Sequence, residues 1–95
     1  MKNMPADKRV ECVARGSVQG VFYRALVKQK ASMLGVKGYA KNEADGSVRI
    51  AAEGSETALR DFLRLIKVDD GRRRVEGLEV KWLDAKNEFD SFSIG

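Results

Sequence analysis

Apolar residues along this chain change their spacing in a set order, and that order restricts the fold more than any other feature. Val10, Cys12 and Ala14 alternate within Arg9–Arg15, as in a half-buried strand. Tyr23, Leu26 or Val27, Ala31 and Leu34 then follow at helical spacing, with Gly35 placed to close the helix. Val36–Asn42 reads as a short second strand and Glu43–Gly46 as a hairpin turn, because Asp-Gly accepts positive φ. Ser47–Glu53 alternates again through Val48, Ile50 and Ala52. Gly54-Ser55 breaks that strand, and Ser55 is placed to cap a helix carrying Leu59, Phe62, Leu63 and Ile66 as far as Lys67. Asp69–Arg74 is a charged loop around Gly71. Leu78, Val80 and Trp82 alternate in a fourth strand, and Phe92 and Ile94 mark a fifth.

Strand, helix, strand, strand, helix, strand is the order of a ferredoxin-like α+β plait: two helices on one face of a mainly antiparallel sheet, here with an added fifth strand. A right-handed first crossover runs strands one and two the same way, so their C-terminal ends share one sheet edge. With the third strand between them, the end of strand one and Asn42 lie roughly 10 Å apart, about two strand spacings. Trp82, Phe62, Phe92 and Ile94 are expected in the core, and Cys12 is expected to pack there rather than react.

A chain of 95 residues holds one such core. The expected domain is 9–95, preceded by a frayed tail at 1–8 that contains Pro5. No apolar run approaches membrane-spanning length, and the first residues lack the apolar stretch of a secretory signal. The single cysteine rules out an internal disulfide and fits a reducing cytoplasm. The absence of histidine removes the commonest general base and metal ligand together. A monomer is expected, since no strong unpaired apolar patch is evident.

The chemistry concentrates in Gly16–Arg24. Gly16 and Gly20 frame Ser17, Val18 and Gln19, Val21 follows, and Arg24 falls in the first turn of the predicted helix. Glycines let backbone N–H groups converge on one point, a helix start adds donors and positive potential, and a guanidinium adds full charge and a planar fork. An arginine there opposes the helix dipole, so it gains nothing locally. Val18 and Val21 are apolar loop residues able to anchor the turn in the core. From Cys12 to Asn42 the chain has Arg15, Arg24, Lys28, Lys30, Lys37 and Lys41 and no acid. No Walker lysine follows the glycines, and the third glycine of a dinucleotide fingerprint is missing. Asn42 either satisfies its turn or orients a water; Ser17 and Gln19 read most simply as solvated, and Arg72–Arg74 as a solvated loop.

Taken together, Gly16-Ser17-Val18-Gln19-Gly20-Val21-Phe22-Tyr23-Arg24, Gly38-Tyr39-Ala40-Lys41-Asn42 with Asp45-Gly46-Ser47-Val48, and the closing Phe89-Asp90-Ser91-Phe92-Ser93-Ile94 resemble the acylphosphatase family. The resemblance covers nearly the whole chain after the tail. It implies the plait fold and hydrolysis of the carboxyl–phosphate bond of acyl phosphates, with no metal or other cofactor. It further implies that the Gly16–Val21 backbone and Arg24 hold the phosphoryl group and that Asn42 positions the attacking water. Ser17 stands where a basic residue is common, and Tyr39-Ala40 where a Trp-Val pair is common. With no residue after Gly95, a free-standing enzyme is expected rather than a piece of a larger maturation protein.

The residue types suit that reaction. An acyl phosphate leaves as a carboxylate whose conjugate acid has a pKa of about 4, so no general acid is required near neutrality. Phosphoryl transfer through a loose transition state rewards positioning and charge stabilisation. The competing reading is an RNA-recognition module, because Lys37-Gly38-Tyr39-Ala40 fits the start of its aromatic motif. That fit fails at Lys41 and Asn42 and falls on the second strand instead of the third, so no specific nucleic-acid partner is expected. The expected partners are a small acyl phosphate and inorganic phosphate, with no membrane.

Overall fold

The structure is a computed structural model that describes residues 6–95. Its elements are β1 (Lys8–Ser17), α1 (Tyr23–Leu34), β2 (Lys37–Asn42), β3 (Val48–Gly54), α2 (Glu56–Ile66), β4 (Arg74–Asp84) and β5 (Phe92–Ile94). The sheet order is β4-β1-β3-β2-β5. Neighbours are antiparallel except β2 and β5, which run parallel. β3 separates β1 from β2, the placement on which the two-strand spacing of their ends depends, and both helices cover one face of a mixed five-stranded sheet. Of the expected tail, Met1–Pro5 lie outside the described residues, Ala6 exchanges hydrogen bonds with Asn87 at 2.9 and 3.2 Å, and Lys8 already belongs to β1. Among the described residues no helix is long and apolar enough to cross a membrane.

The core lies between helices and sheet. Alternation aims Val10, Cys12 and Ala14 of β1 and Val48, Ile50 and Ala52 of β3 at the helices, which answer with Tyr23, Val27 and Ala31 and with Leu59, Phe62 and Ile66. Burying each large apolar side chain contributes about 1.5–3 kcal/mol. α1 ends where the sequence indicates: Gly35 is left-handed at φ 69, and its N–H and that of Val36 close on the Ser32 and Ala31 carbonyls.

Two residues expected in the core are not there. Trp82 is 38% and Ile94 42% exposed, whereas Phe62 and Phe92 are buried. Both point to the helix side, opposite Val10 and Ala40 respectively, but from edge strands that the helices do not fully cover. The Arg60 guanidinium, 5.4 Å from the indole, roofs Trp82 instead.

On the other face, alternation alone would leave Arg9 and its cross-strand partner Glu53 in water. Both are buried, because the connection from β4 to β5 folds over them. Arg9 Nη1 donates to Glu53 and Glu88, each at 2.9 Å, Nε donates to Glu11 at 2.9 Å, and the guanidinium lies 5.0 Å from the Phe89 ring centroid. Glu53 also accepts the Lys86 and Asn87 amides, each at 2.9 Å. Burial pushes the Glu53 carboxyl up, but those amides and Arg9 outweigh it and hold it below the usual carboxylate range. Glu53→Ala should cost about 3–5 kcal/mol in denaturant unfolding, because it strands Arg9 and two amides without their shared acceptor. Glu53 binds its proton more weakly folded than unfolded. Its contribution is therefore complete above an unfolded pKa of about 4.3 and fades as pH falls through the lower folded value. The stability gap between wild type and Glu53→Ala should narrow in acid below about pH 4; a gap constant down to pH 2 would contradict this account.

Candidate active site

β1 runs into the glycine segment and α1 runs out of it. Gly16 and Ser17, expected as part of a phosphate loop, are the last two residues of β1 and pair with Val75 and Arg74. Gly16 sits at a register shift with φ 131, and a Cβ there would lie 2.2 Å from the Arg74 carbonyl oxygen. Close approach of β4 is therefore what demands glycine at this position. The Ser17 hydroxyl donates to the Arg72 carbonyl at 3.1 Å.

The loop proper is Val18–Phe22. Val18 is buried in the core and Val21 packs against it, which pins the turn at two points. Gly20 at φ 76 and Phe22 at φ 61 are left-handed, and Val21 between them is not. Such alternation of hand turns successive N–H groups toward one concave side. Among the described residues, none of the backbone amides from Gln19 to Arg24 donates to a protein acceptor. A left-handed aromatic costs about 1–2 kcal/mol relative to its ordinary conformation.

The two helix starts differ in every respect that matters to an anion. Ser55 caps α2 by accepting the Ala58 amide at 3.1 Å, and Glu56 in its first turn complements the dipole. α1 has no side-chain cap, no acid in its first turn, and Arg24 in that turn. Its positive end is thus left open, with a further positive charge beside it. Arg24 is half-buried, and its Nη1 donates to the Gly95 carbonyl. Gly95 is fixed in turn by its own amide, which donates to the Ala40 carbonyl at 2.9 Å. That one bond leaves most of the five guanidinium donors uncommitted.

Asn42 arrives from the other strand. In β3, Val48 pairs with Ala14 on one side and Asn42 on the other, so Asn42 stands level with Ala14, three residues before β1 ends at Ser17. The register places the Asn42 side chain on the helix-covered face, with Ala40 and Val48. Its Oδ1 is buried and has no hydrogen-bond partner. The only other such atom among the described residues is Glu43 Oε2, which has Arg49 Nε at 3.6 Å. Asn42 Oδ1 alone of the two is left without any polar partner, a burial that costs about 1–3 kcal/mol when unfilled.

Gln19, read from sequence as solvated, clamps these parts together. Its Nε2 donates to the Glu43 carbonyl at 2.7 Å and the Ser47 carbonyl at 2.9 Å. The loop is thereby tied to the turn that directly follows Asn42. No sequence signal marks this, because both acceptors are backbone atoms 24 and 28 residues away. The nearby Asp45 carboxylate is engaged in its own turn by the Ser47 hydroxyl at 2.6 Å and amide at 3.0 Å and by Arg15 at 3.2 Å. Those bonds, the hydroxyl first, lower its pKa to about 2. Burial, with a smaller contribution from Glu11, raises Cys12 to about 12, so it stays a thiol and is no nucleophile.

Phosphate-sized anions fit the chemistry of this corner: bare amides, an open helix start, one guanidinium and an orphaned acceptor. A family model described as Acylphosphatase matches residues 10–94. The chain is similar to an acylphosphatase of Caldanaerobacter subterraneus subsp. tengcongensis, 41% identical over 87 residues, covering 92% of this chain and 97% of the relative. It is similar also to one from Salinibacter ruber, 39% identical over 88 residues, with 93% of each chain covered. Among solved structures, the crystal structure of an acylphosphatase from Bacillus subtilis superposes with a TM-score of 0.88 at 32% identity, covering 93% of this chain and 98% of that one. The match runs from the third residue of β1 to the last residue of β5, and with it the chain is an enzyme of the acylphosphatase family.

Proposed function

We propose that the chain hydrolyses acyl phosphates to a carboxylate and inorganic phosphate without a metal ion, with the loop amides and Arg24 holding the phosphoryl group and Asn42 orienting the water. The observation that carries this reading is the buried Oδ1 of Asn42, without a hydrogen-bond partner, just before a turn that Gln19 ties to the loop of bare amides. Oδ1 accepts one hydrogen of the water and turns an oxygen lone pair toward phosphorus. As the new P–O bond forms, the bond from phosphorus to the acyl oxygen breaks, and its electron pair leaves with the carboxylate. The proton given up by the water goes to a phosphate oxygen, so the products are a carboxylate and dihydrogen phosphate. Negative charge on the phosphoryl oxygens is met by fixed N–H dipoles and by Arg24, which need no reorganisation during the step. A carboxylate leaving group with a conjugate-acid pKa of about 4 departs without an acid or a Lewis acid. Alkyl phosphate esters, with far poorer leaving groups, should be turned over at least about 10³-fold more slowly.

Tyr39, the aromatic of the RNA-like segment, packs edge-on against Phe89 with ring centroids 6.0 Å apart, which supports a role without nucleic acid. The lone, buried Cys12 supports a cytoplasmic setting. Purified protein given benzoyl phosphate should release inorganic phosphate at the same rate with and without a chelator. Activity abolished by the chelator and restored by a divalent cation would overturn the mechanism.

A further inference from the structure

Beside the loop lies a pocket of about 340 Å³, at the lower end of small-molecule pockets at roughly 300–1,000 Å³. Its walls come from Val18, Phe22, Tyr23, Ala25 and Ile94, together with Gly20 of the loop and Arg24. Phe22 is 74% exposed and held left-handed, two unfavourable circumstances for one aromatic side chain. The exposed Trp82 has Arg60 over its ring; among the described residues no ring and no guanidinium covers Phe22. Ile94, 42% exposed, is delivered to the same pocket by the parallel pairing of β5 with β2. Beyond the bare loop amides, which the reading above gives to the phosphoryl group, the pocket offers little to a polar group. The Tyr23 hydroxyl is committed to the Ile66 carbonyl at 2.8 Å, and Arg24 is the only charged side chain in the wall.

We propose that this pocket is the acyl subsite, and that Phe22 and Ile94 set a preference for acyl phosphates bearing an aryl or branched alkyl group over small or polar ones such as acetyl or carbamoyl. The inference rests on the hydrolytic reading above, because it takes Arg24 as the point where phosphoryl site and pocket meet. An apolar acyl group would cover the exposed face of Phe22 and lose only water. With the loop amides and Arg24 taken up by the phosphoryl group, a carbamoyl or amino-bearing acyl group would give up hydrogen bonds to water and find no further side-chain partner in the wall, which is where such pockets discriminate. Both residues lie outside the bonds being made and broken, so they act on selectivity between substrates.

The test is the ratio of kcat/KM for benzoyl phosphate to that for acetyl phosphate, in wild type, Phe22→Gly and Ile94→Ala. Comparing ratios cancels the different intrinsic reactivities of the two substrates. Glycine at position 22 adopts the left-handed turn without steric cost, so loss of folding does not obscure the result. The ratio should fall at least about tenfold in Phe22→Gly and about threefold in Ile94→Ala. An unchanged ratio in both variants, with turnover intact, would overturn the acyl subsite alone. No turnover of either substrate by wild type would overturn the hydrolytic reading and this inference with it.

Discussion

Arg24→Ala should lower kcat/KM for benzoyl phosphate by about 10³-fold or more, or about 4 kcal/mol of transition-state stabilisation. The guanidinium is the only full positive charge among the groups assigned to the phosphoryl oxygens, and the charge on those oxygens is largest in the transition state. It also binds the ground state, so inhibition by inorganic phosphate should weaken in parallel. Stability should change little, within about 1 kcal/mol, because two local effects oppose each other. A cation removed from the first turn of α1 relieves the dipole, while the bond to the Gly95 carbonyl is lost. Arg24→Lys should recover only part of the rate, since an ammonium lacks the planar fork. Wild-type phosphate inhibition together with a collapsed rate would show that Arg24 acts elsewhere than on the phosphoryl group.

Asn42→Ala should behave differently in all three measurements. Losing the water's acceptor should lower kcat by about 10²–10³-fold. Phosphate inhibition should stay within about threefold, because Asn42 holds the nucleophile and not the anion. Thermal stability should hold or rise, because the substitution deletes a buried acceptor that has no partner in the free protein. An asparagine that merely satisfied its turn would give the reverse pattern, a less stable protein with a modest loss of rate. Equal loss of kcat and of phosphate binding would contradict the assigned role.

Much of this arrangement was legible in the chain itself, because the two periods of apolar residues are local. Val10, Cys12 and Ala14, or Leu59, Phe62 and Ile66, declare their element within a few positions, and element order then leaves few topologies. What alternation could not supply was the environment of the edges. Trp82 and Ile94 look like core residues by type and spacing, but whether a helix covers an edge strand depends on how far that helix extends across the sheet. Arg9 and Glu53 look solvated by the same rule, and are buried by a connection, around Lys86–Phe89, that has no period at all. At the site, Arg24 stood out because it violates a local rule, and Gly16 was noticed for a reason other than the close approach of β4 that fixes it. Gln19 carried no mark, since a side chain that binds distant backbone carbonyls has the same sequence signature as one that binds water.

The unequal treatment of the two helix starts has a consequence for the resting enzyme. α2 brings its own cap, whereas α1 has none, so a phosphate held by the loop as proposed would do for α1 what Ser55 does for α2. A dianion bound there, the reaction's own product included, would shift folding toward the native form by mass action. Product inhibition and thermal protection by phosphate are on this view two readings of a single equilibrium constant.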